Sequence, residues 1–157
     1  MKKDWLLWIA IGAALIALGG TAAIVYTGAR GIRNNNPGNI RKGASQWQGM
    51  SPQQTDSAFV QFVSPVYGIR ALAKLLKNYQ SRYGLNTVEG LISRYAPPTE
   101  NITGSYVKAV ANAIGVDARQ PINVTQHLPA LVAAITKHEN GLQPYPESLI
   151  REGVSLA

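Results

Sequence analysis

The feature that most constrains this chain is a run of 22 residues without a charged side chain, residues 5–26. A helix of that length would cover about 30 Å, which is the thickness of the hydrocarbon core of a bilayer. Trp5 and Trp8 stand at one edge of the run and Tyr26 at the other, as in the aromatic belts of membrane helices. The run therefore predicts one N-terminal transmembrane anchor over residues 1–26, with a cleaved signal peptide as the alternative.

The rest of the chain predicts a short tether over residues 27–34 and one compact domain over residues 35–157. Apolar residues at helical spacing, together with caps and stops, make this domain mainly α. The predicted helices are 65–83, 87–95, one that ends before Gly115, one from about Pro129 to Gly141, and a short one over 147–152. Asn86 with Glu89 predicts a capping box for the second of these helices.

One small β-hairpin is expected before the helices. Residues 57–63 are rich in β-branched and aromatic side chains and are followed by Ser64 and Pro65, which predicts a strand and its end. Residues 47–50 are the candidate partner strand. The fold class that the sequence predicts is therefore a mainly helical α+β domain behind one transmembrane helix.

Composition excludes several kinds of site. The chain has no cysteine, so it holds neither disulfides nor thiolate zinc sites, and its two histidines do not have the usual spacing of metal ligands. We therefore expect no metal and no cofactor. The formal net charge is +7, but the basic residues are scattered rather than interleaved with aromatic residues, so no nucleic-acid partner is expected.

Glu139 is the most unusual of the eight acidic residues. It follows Ile135 by four positions and Val132 by seven, so it extends the apolar stripe of its predicted helix. It also lies in the last helical turn, where the helix dipole disfavours negative charge. Both effects favour the neutral acid and would raise its pKa, as a general acid requires. The alternative is a structural ion pair with a basic residue of the 30–42 loop.

Glu100 is the second candidate acid, and its alternative role is to stabilise the start of the helix that follows it. Trp47 can stack on a sugar ring, although a single tryptophan beside a strand is often part of a core. His138 is better explained as a partner of the helix dipole than as a base.

Three groups of residues form motifs that are specific in combination. They are Asn35-Asn36-Pro37-Gly38-Asn39-Ile40-Arg41, the stretch Tyr95-Ala96-Pro97-Pro98 followed by Glu100, Asn101 and Tyr106, and the closing His138-Glu139-Asn140-Gly141. Together they resemble a family of phage and prophage virion-associated lytic proteins. That family is related to lysozyme-like peptidoglycan-degrading enzymes, and its members are often labelled only as virion structural proteins.

The resemblance implies a lysozyme-like domain with a circularly permuted order of elements, since the helix that ends in glutamate stands last. It implies Glu139 as the general acid, with Glu100 as the other catalytic candidate. The candidate substrate-binding residues are Asn36, Asn39, Arg41, Trp47, Asn101 and Tyr106.

The function that follows is cleavage of the bond between N-acetylmuramic acid and N-acetylglucosamine during phage entry or exit, by a lytic transglycosylase or a muramidase. A peptidoglycan cross-link endopeptidase and a non-catalytic virion or wall-binding protein are the alternatives. The expected partners are peptidoglycan glycan strands, a lipid membrane through residues 5–26, and other virion proteins. The expected location is a virion membrane or the bacterial inner membrane, as a single-pass protein whose domain faces the cell wall.

Overall fold

The computed structural model describes residues 13–15, 24–26, 28–97 and 102–157. This part of the chain is mainly helical. Its helices are α1 (Arg30–Arg33), α2 (Pro65–Tyr83), α3 (Val88–Tyr95), α4 (Ile102–Ile114), α5 (Val124–Asn140) and α6 (Glu147–Ser155). Two short strands, β1 (Ala13–Leu15) and β2 (Ile24–Tyr26), precede them.

Helix α2 begins and ends where the sequence predicts. Pro65 occupies the first turn, where its missing N–H removes no helical hydrogen bond. Gly84 ends the helix with a φ of 67°, a left-handed conformation that glycine adopts without strain. The amide of Gly84 donates to the carbonyl of Gln80 at 2.9 Å.

The starts of α3 and α5 differ from the prediction because the capping residues differ. The hydroxyl of Thr87 accepts from the Gly90 amide at 3.0 Å, so Thr87 and not Asn86 caps α3. The side chain of Asn123 caps α5, so this helix begins at Val124 and Pro129 lies inside it. A proline at that position removes one backbone hydrogen bond of the helix.

The core lies between α2 and the helices that pack against it. Helix α2 contacts α3, α5 and α6, while α4 contacts α3 and α5, and α1 contacts α5. The largest fully buried side chains include Ile69, Leu72, Leu76, Leu91, Ile92, Val110, Leu128, Leu131 and Ile135. Because α1 and α4 both approach α5, the end of α5 lies among residues from distant parts of the chain.

The predicted transmembrane helix over residues 5–26 is not found in the described part of that run, residues 13–15 and 24–26, and the rest of the run lies outside the described residues. The described residues of that run form β1 and β2, which pair antiparallel with Ala13 opposite Tyr26 and Leu15 opposite Ile24. An uninterrupted apolar run does not by itself distinguish helix from strand, and the β-branched and aromatic residues of β2 favour a strand. No helix in the described ranges is both long and apolar enough to cross a bilayer. The prediction of a single-pass membrane protein in a virion or inner membrane is therefore wrong.

The predicted hairpin of residues 47–50 and 57–63 is also wrong. Only isolated bridges join this region, between Arg41 and Phe59 and between Met50 and Phe62. Side-chain amides take the backbone groups that a strand ladder would use, for example Gln54, whose Oε1 accepts from the Gln61 amide at 2.9 Å. In the described residues, the expected α+β architecture of lysozyme-like type is accordingly corrected to six helices, with a long loop between α1 and α2, preceded by the two short strands β1 and β2.

Candidate active site

The carboxyl group of Glu139 is held by residues from two other parts of the chain. Glu139 lies in the last turn of α5 and is half-buried. The hydroxyl of Tyr106, on α4, donates to its Oε1 at 2.9 Å. The side-chain amide of Asn39, in the 34–41 loop, donates to its Oε2 at 3.0 Å. Three of the predicted site residues are thus brought together.

Burial raises the pKa of Glu139 above that of a free glutamate. The hydrogen bonds from Asn39 and Tyr106 and the positive charge of Arg41 act in the opposite direction, but burial is the larger effect. Within residues 28–97 and 102–157, no basic side chain forms an ion pair with Glu139. The carboxyl therefore keeps its proton to a higher pH than an exposed glutamate does, which suits a proton donor.

Tyr106 is held so that its hydroxyl points at Glu139. The residue is 3% exposed, and the ring of His138 stacks on its ring with centroids 3.6 Å apart and planes 15° apart. Burial raises the pKa of Tyr106, so the hydroxyl stays protonated and donates. Burial lowers the pKa of His138, so its ring tends to be neutral in this stack.

The 34–41 loop is built by its asparagines, and they have different roles. Asn36 is fully buried, its Oδ1 accepts from the Ile40 amide, and its Nδ2 donates to the carbonyls of Ile40 and Val60, at 2.8–2.9 Å. Asn39 has a φ of 49°, a left-handed conformation that asparagine tolerates better than most residues. Asn36 thus forms hydrogen bonds with the loop backbone, while the side chain of Asn39 points to Glu139.

Asn140 and Gly31 fix this loop against the end of α5. The Nδ2 of Asn140 donates to the carbonyl of Pro37 at 2.8 Å and to that of Thr136 at 2.9 Å. A Cβ at Gly31 would lie 2.4 Å from the Oδ1 of Asn140 and 2.7 Å from that of Asn39. Any larger residue at position 31 would therefore displace the two asparagines that flank Glu139.

A groove of about 450 Å³ opens beside Glu139. Its lining residues are Gly38, Asn39, Ile40, Arg41, Phe59, Leu75, Tyr79, Tyr95, Ala96, Pro97 and Glu139. The guanidinium of Arg41 is exposed and lies 5.1 Å from the centroid of the Phe59 ring. The groove therefore combines one proton donor, one cation and aromatic surface, a combination suited to a polar ligand with ring faces.

The other predicted site residues lie elsewhere or outside the described residues. Trp47 is half-buried, packs against the hydrophobic core and does not line this groove. Glu100 and Asn101 fall in residues 98–101, outside the described ranges. The part of the chain that is described thus places Asn39, Arg41 and Tyr106 at Glu139 and gives Asn36 and Trp47 other surroundings.

Sequence reasoning missed several residues that shape the site. The hydroxyl of Tyr95 donates to the carbonyl of Gly38, next to Asn39, and burial raises the pKa of Tyr95 well above its usual value. Tyr79, on α2, also lines the groove. Of these residues, only Asn140 could have been found from the sequence, because it directly follows Glu139 at the end of a predicted helix.

Asp56 forms a separate, structural cluster. Its carboxylate accepts from Arg30 Nε at 2.7 Å, from another guanidinium nitrogen at 2.6 Å and from Asn34 Nδ2 at 2.8 Å. The guanidinium of Arg30 and these hydrogen bonds hold the pKa of Asp56 far below its usual range. A carboxylate held ionised in this way cannot serve as a proton donor near neutral pH.

Comparison with known proteins shows similarity to a phage protein. No protein-family model matches the chain. The chain is 43% identical over 128 residues to Protein P5 of Pseudoalteromonas phage PM2, an alignment that covers 80% of this chain and 79% of that protein.

Proposed function

Because the chain belongs to the family of Protein P5 of Pseudoalteromonas phage PM2 and is thus a phage protein, we propose that it cleaves the glycan strands of peptidoglycan with Glu139 as general acid. The observation that carries this proposal is the half-buried carboxyl of Glu139, with its raised pKa, beside an open groove. The relative's name states no activity, so the proposal rests on the geometry and chemistry of this groove.

In the proposed reaction, Glu139 transfers its proton to the oxygen that joins N-acetylmuramic acid to N-acetylglucosamine. As that bond breaks, positive charge develops at the anomeric carbon and negative charge develops on the Glu139 carboxyl. Asn39 and Tyr106 already donate to its two oxygens, so they stabilise the carboxylate as it forms. The positive charge of Arg41 also favours the ionised carboxylate of Glu139.

The nucleophile that completes the reaction distinguishes two outcomes. A hydrolase that activates water requires a second carboxylate close to the acid. A lytic transglycosylase does not, because the 6-hydroxyl of the N-acetylmuramic acid attacks its own anomeric carbon and loses its proton to Glu139. This carboxylate-poor sequence favours the transglycosylase.

The test is zymography of the full chain on purified peptidoglycan, followed by mass spectrometry of the soluble products. Anhydro-muropeptides would support transglycosylation, and reducing ends would support hydrolysis of the same bond. Products cut only in the peptide, or no clearing at all, would refute the proposal. The second of these results would favour a non-catalytic phage protein. Glu139→Gln is the matched inactive control.

A further inference from the structure

The groove at Glu139 does not end at Tyr79. A second groove of about 670 Å³ adjoins it, since Tyr79 and Pro97 line both grooves. The second groove lies between the last turns of α2 and α3, where Tyr83 and Arg94 stand. An extended polymer bound at Glu139 could therefore continue over this surface.

Arg94 is oriented by two aromatic rings. Its guanidinium carbon lies 3.5 Å from the centroid of Tyr83 and 5.3 Å from that of Tyr79. The two tyrosines meet edge to face, with centroids 6.4 Å apart and planes 68° apart. Such stacking orients the guanidinium plane while its N–H groups stay available, since a ring face accepts no conventional hydrogen bond.

The charge of Arg94 has no acidic partner in the described ranges. Three other arginines form ion pairs, Arg30 with Asp56, Arg119 with Glu89 and Arg151 with Glu147. Arg94 is exposed, and so is 53% of Tyr83. An oriented guanidinium beside an exposed tyrosine is complementary to a carboxylate on a substituent of a glycan. The guanidinium N–H groups bind the carboxylate, and the tyrosine ring packs against C–H groups of the neighbouring sugar.

We propose that Tyr83 and Arg94 form a second subsite, which binds a carboxylate of the peptide stem carried by the glycan strand. This inference rests on the proposed function, because it gives the glycan strand bound in the Glu139 groove a second contact with the protein, at Tyr83 and Arg94. The ligand class is a peptide-bearing glycan whose stem carboxylate is recognised, as distinct from a glycan that carries a carboxylate only on its sugars.

The test measures binding without cleavage, with the full chain carrying Glu139→Gln. Co-sedimentation is carried out with intact peptidoglycan and with the same glycan strands after an amidase has removed their peptides. Hydrolysis of that amide bond leaves a lactyl carboxylate on each N-acetylmuramic acid, so the stripped strands carry a carboxylate on the sugar but none on a peptide stem. Adding Arg94→Gln should weaken binding to the peptide-bearing polymer about tenfold, as expected for the loss of one charge-assisted pair, and leave binding to the stripped strands unchanged.

Lys108→Gln is the matched control, because it removes the same charge from α4 and lines neither groove. It should leave binding to both polymers unchanged. Equal losses on the two polymers for Arg94→Gln, or no loss on either, would overturn the subsite. Wild-type protein that fails to clear peptidoglycan while binding still depends on Arg94 would refute the proposed reaction and leave the subsite standing.

Discussion

Replacing Glu139 by glutamine should abolish wall degradation while leaving the fold intact. Glutamine has nearly the shape of glutamic acid, but it has no proton to give to a leaving group. Loss of a general acid lowers rates by about 10²–10⁴-fold, and activity of the Glu139→Gln variant should fall by at least that much.

The effect on stability follows from the hydrogen bonds of the site. Asn39 can continue to donate to the amide oxygen, and the Tyr106 hydroxyl can rotate to accept from the amide nitrogen, so both contacts of the carboxyl can persist. The free energy of unfolding should therefore change by less than about 1 kcal/mol, the contribution of one hydrogen bond.

The pH dependence of the stability difference has a definite sign. Because the pKa of Glu139 is raised by folding, the wild type has the full contribution of this group below the unfolded-state pKa of about 4 and loses it as pH rises through the folded-state value. Glutamine does not ionise. The variant should therefore gain stability relative to the wild type as pH rises.

Stability and activity are measured on the same protein samples. Thermal unfolding between pH 4 and 9 gives the stability, and the clearing of a turbid suspension of purified peptidoglycan gives the activity. Glu100→Gln is the matched comparison, because Glu100 is the rival acid. We expect it to lose less activity. A Glu139→Gln protein that stays active but is destabilised, beside an inactive Glu100→Gln protein, would show that Glu139 is structural and that Glu100 is the acid.

Three further substitutions test other parts of the structure. Tyr106→Phe removes a donor that lowers the pKa of Glu139, so the alkaline limb of the pH–activity profile should move to higher pH; an unchanged limb would contradict the hydrogen bond. Asn36→Ala leaves three backbone groups without their side-chain partner and should cost about 3 kcal/mol in denaturant unfolding, and a loss below 1 kcal/mol would argue against its buried role. Asp56→Asn should lower the melting temperature at pH 7, and because Arg30 depresses the pKa of Asp56, the deficit should shrink as pH falls below about 4. A deficit that is independent of pH would exclude this ion pair as its cause.

Local sequence determined where several elements begin and end. Pro65 and Gly84 act through backbone conformations and hydrogen bonds within one turn, so they predict the bounds of α2 without knowledge of the fold. The position of Glu139 on the apolar stripe near a helix end was visible for the same reason, since helical periodicity is a local property. These features could be predicted from the same segments in any fold.

Contacts between distant residues were decided only by the tertiary structure. The apolar run of residues 5–26 fits a membrane helix by length and composition, yet its described residues pair as β1 and β2. The order of the asparagines in the sequence does not distinguish the roles of Asn36 and Asn39. Asn36 forms hydrogen bonds with the loop backbone, whereas Asn39 donates to a carboxyl group 100 residues further on. Capping and periodicity depend on neighbours a few positions away, whereas burial, the raised pKa of Glu139 and its partner Tyr106 depend on which helices pack together.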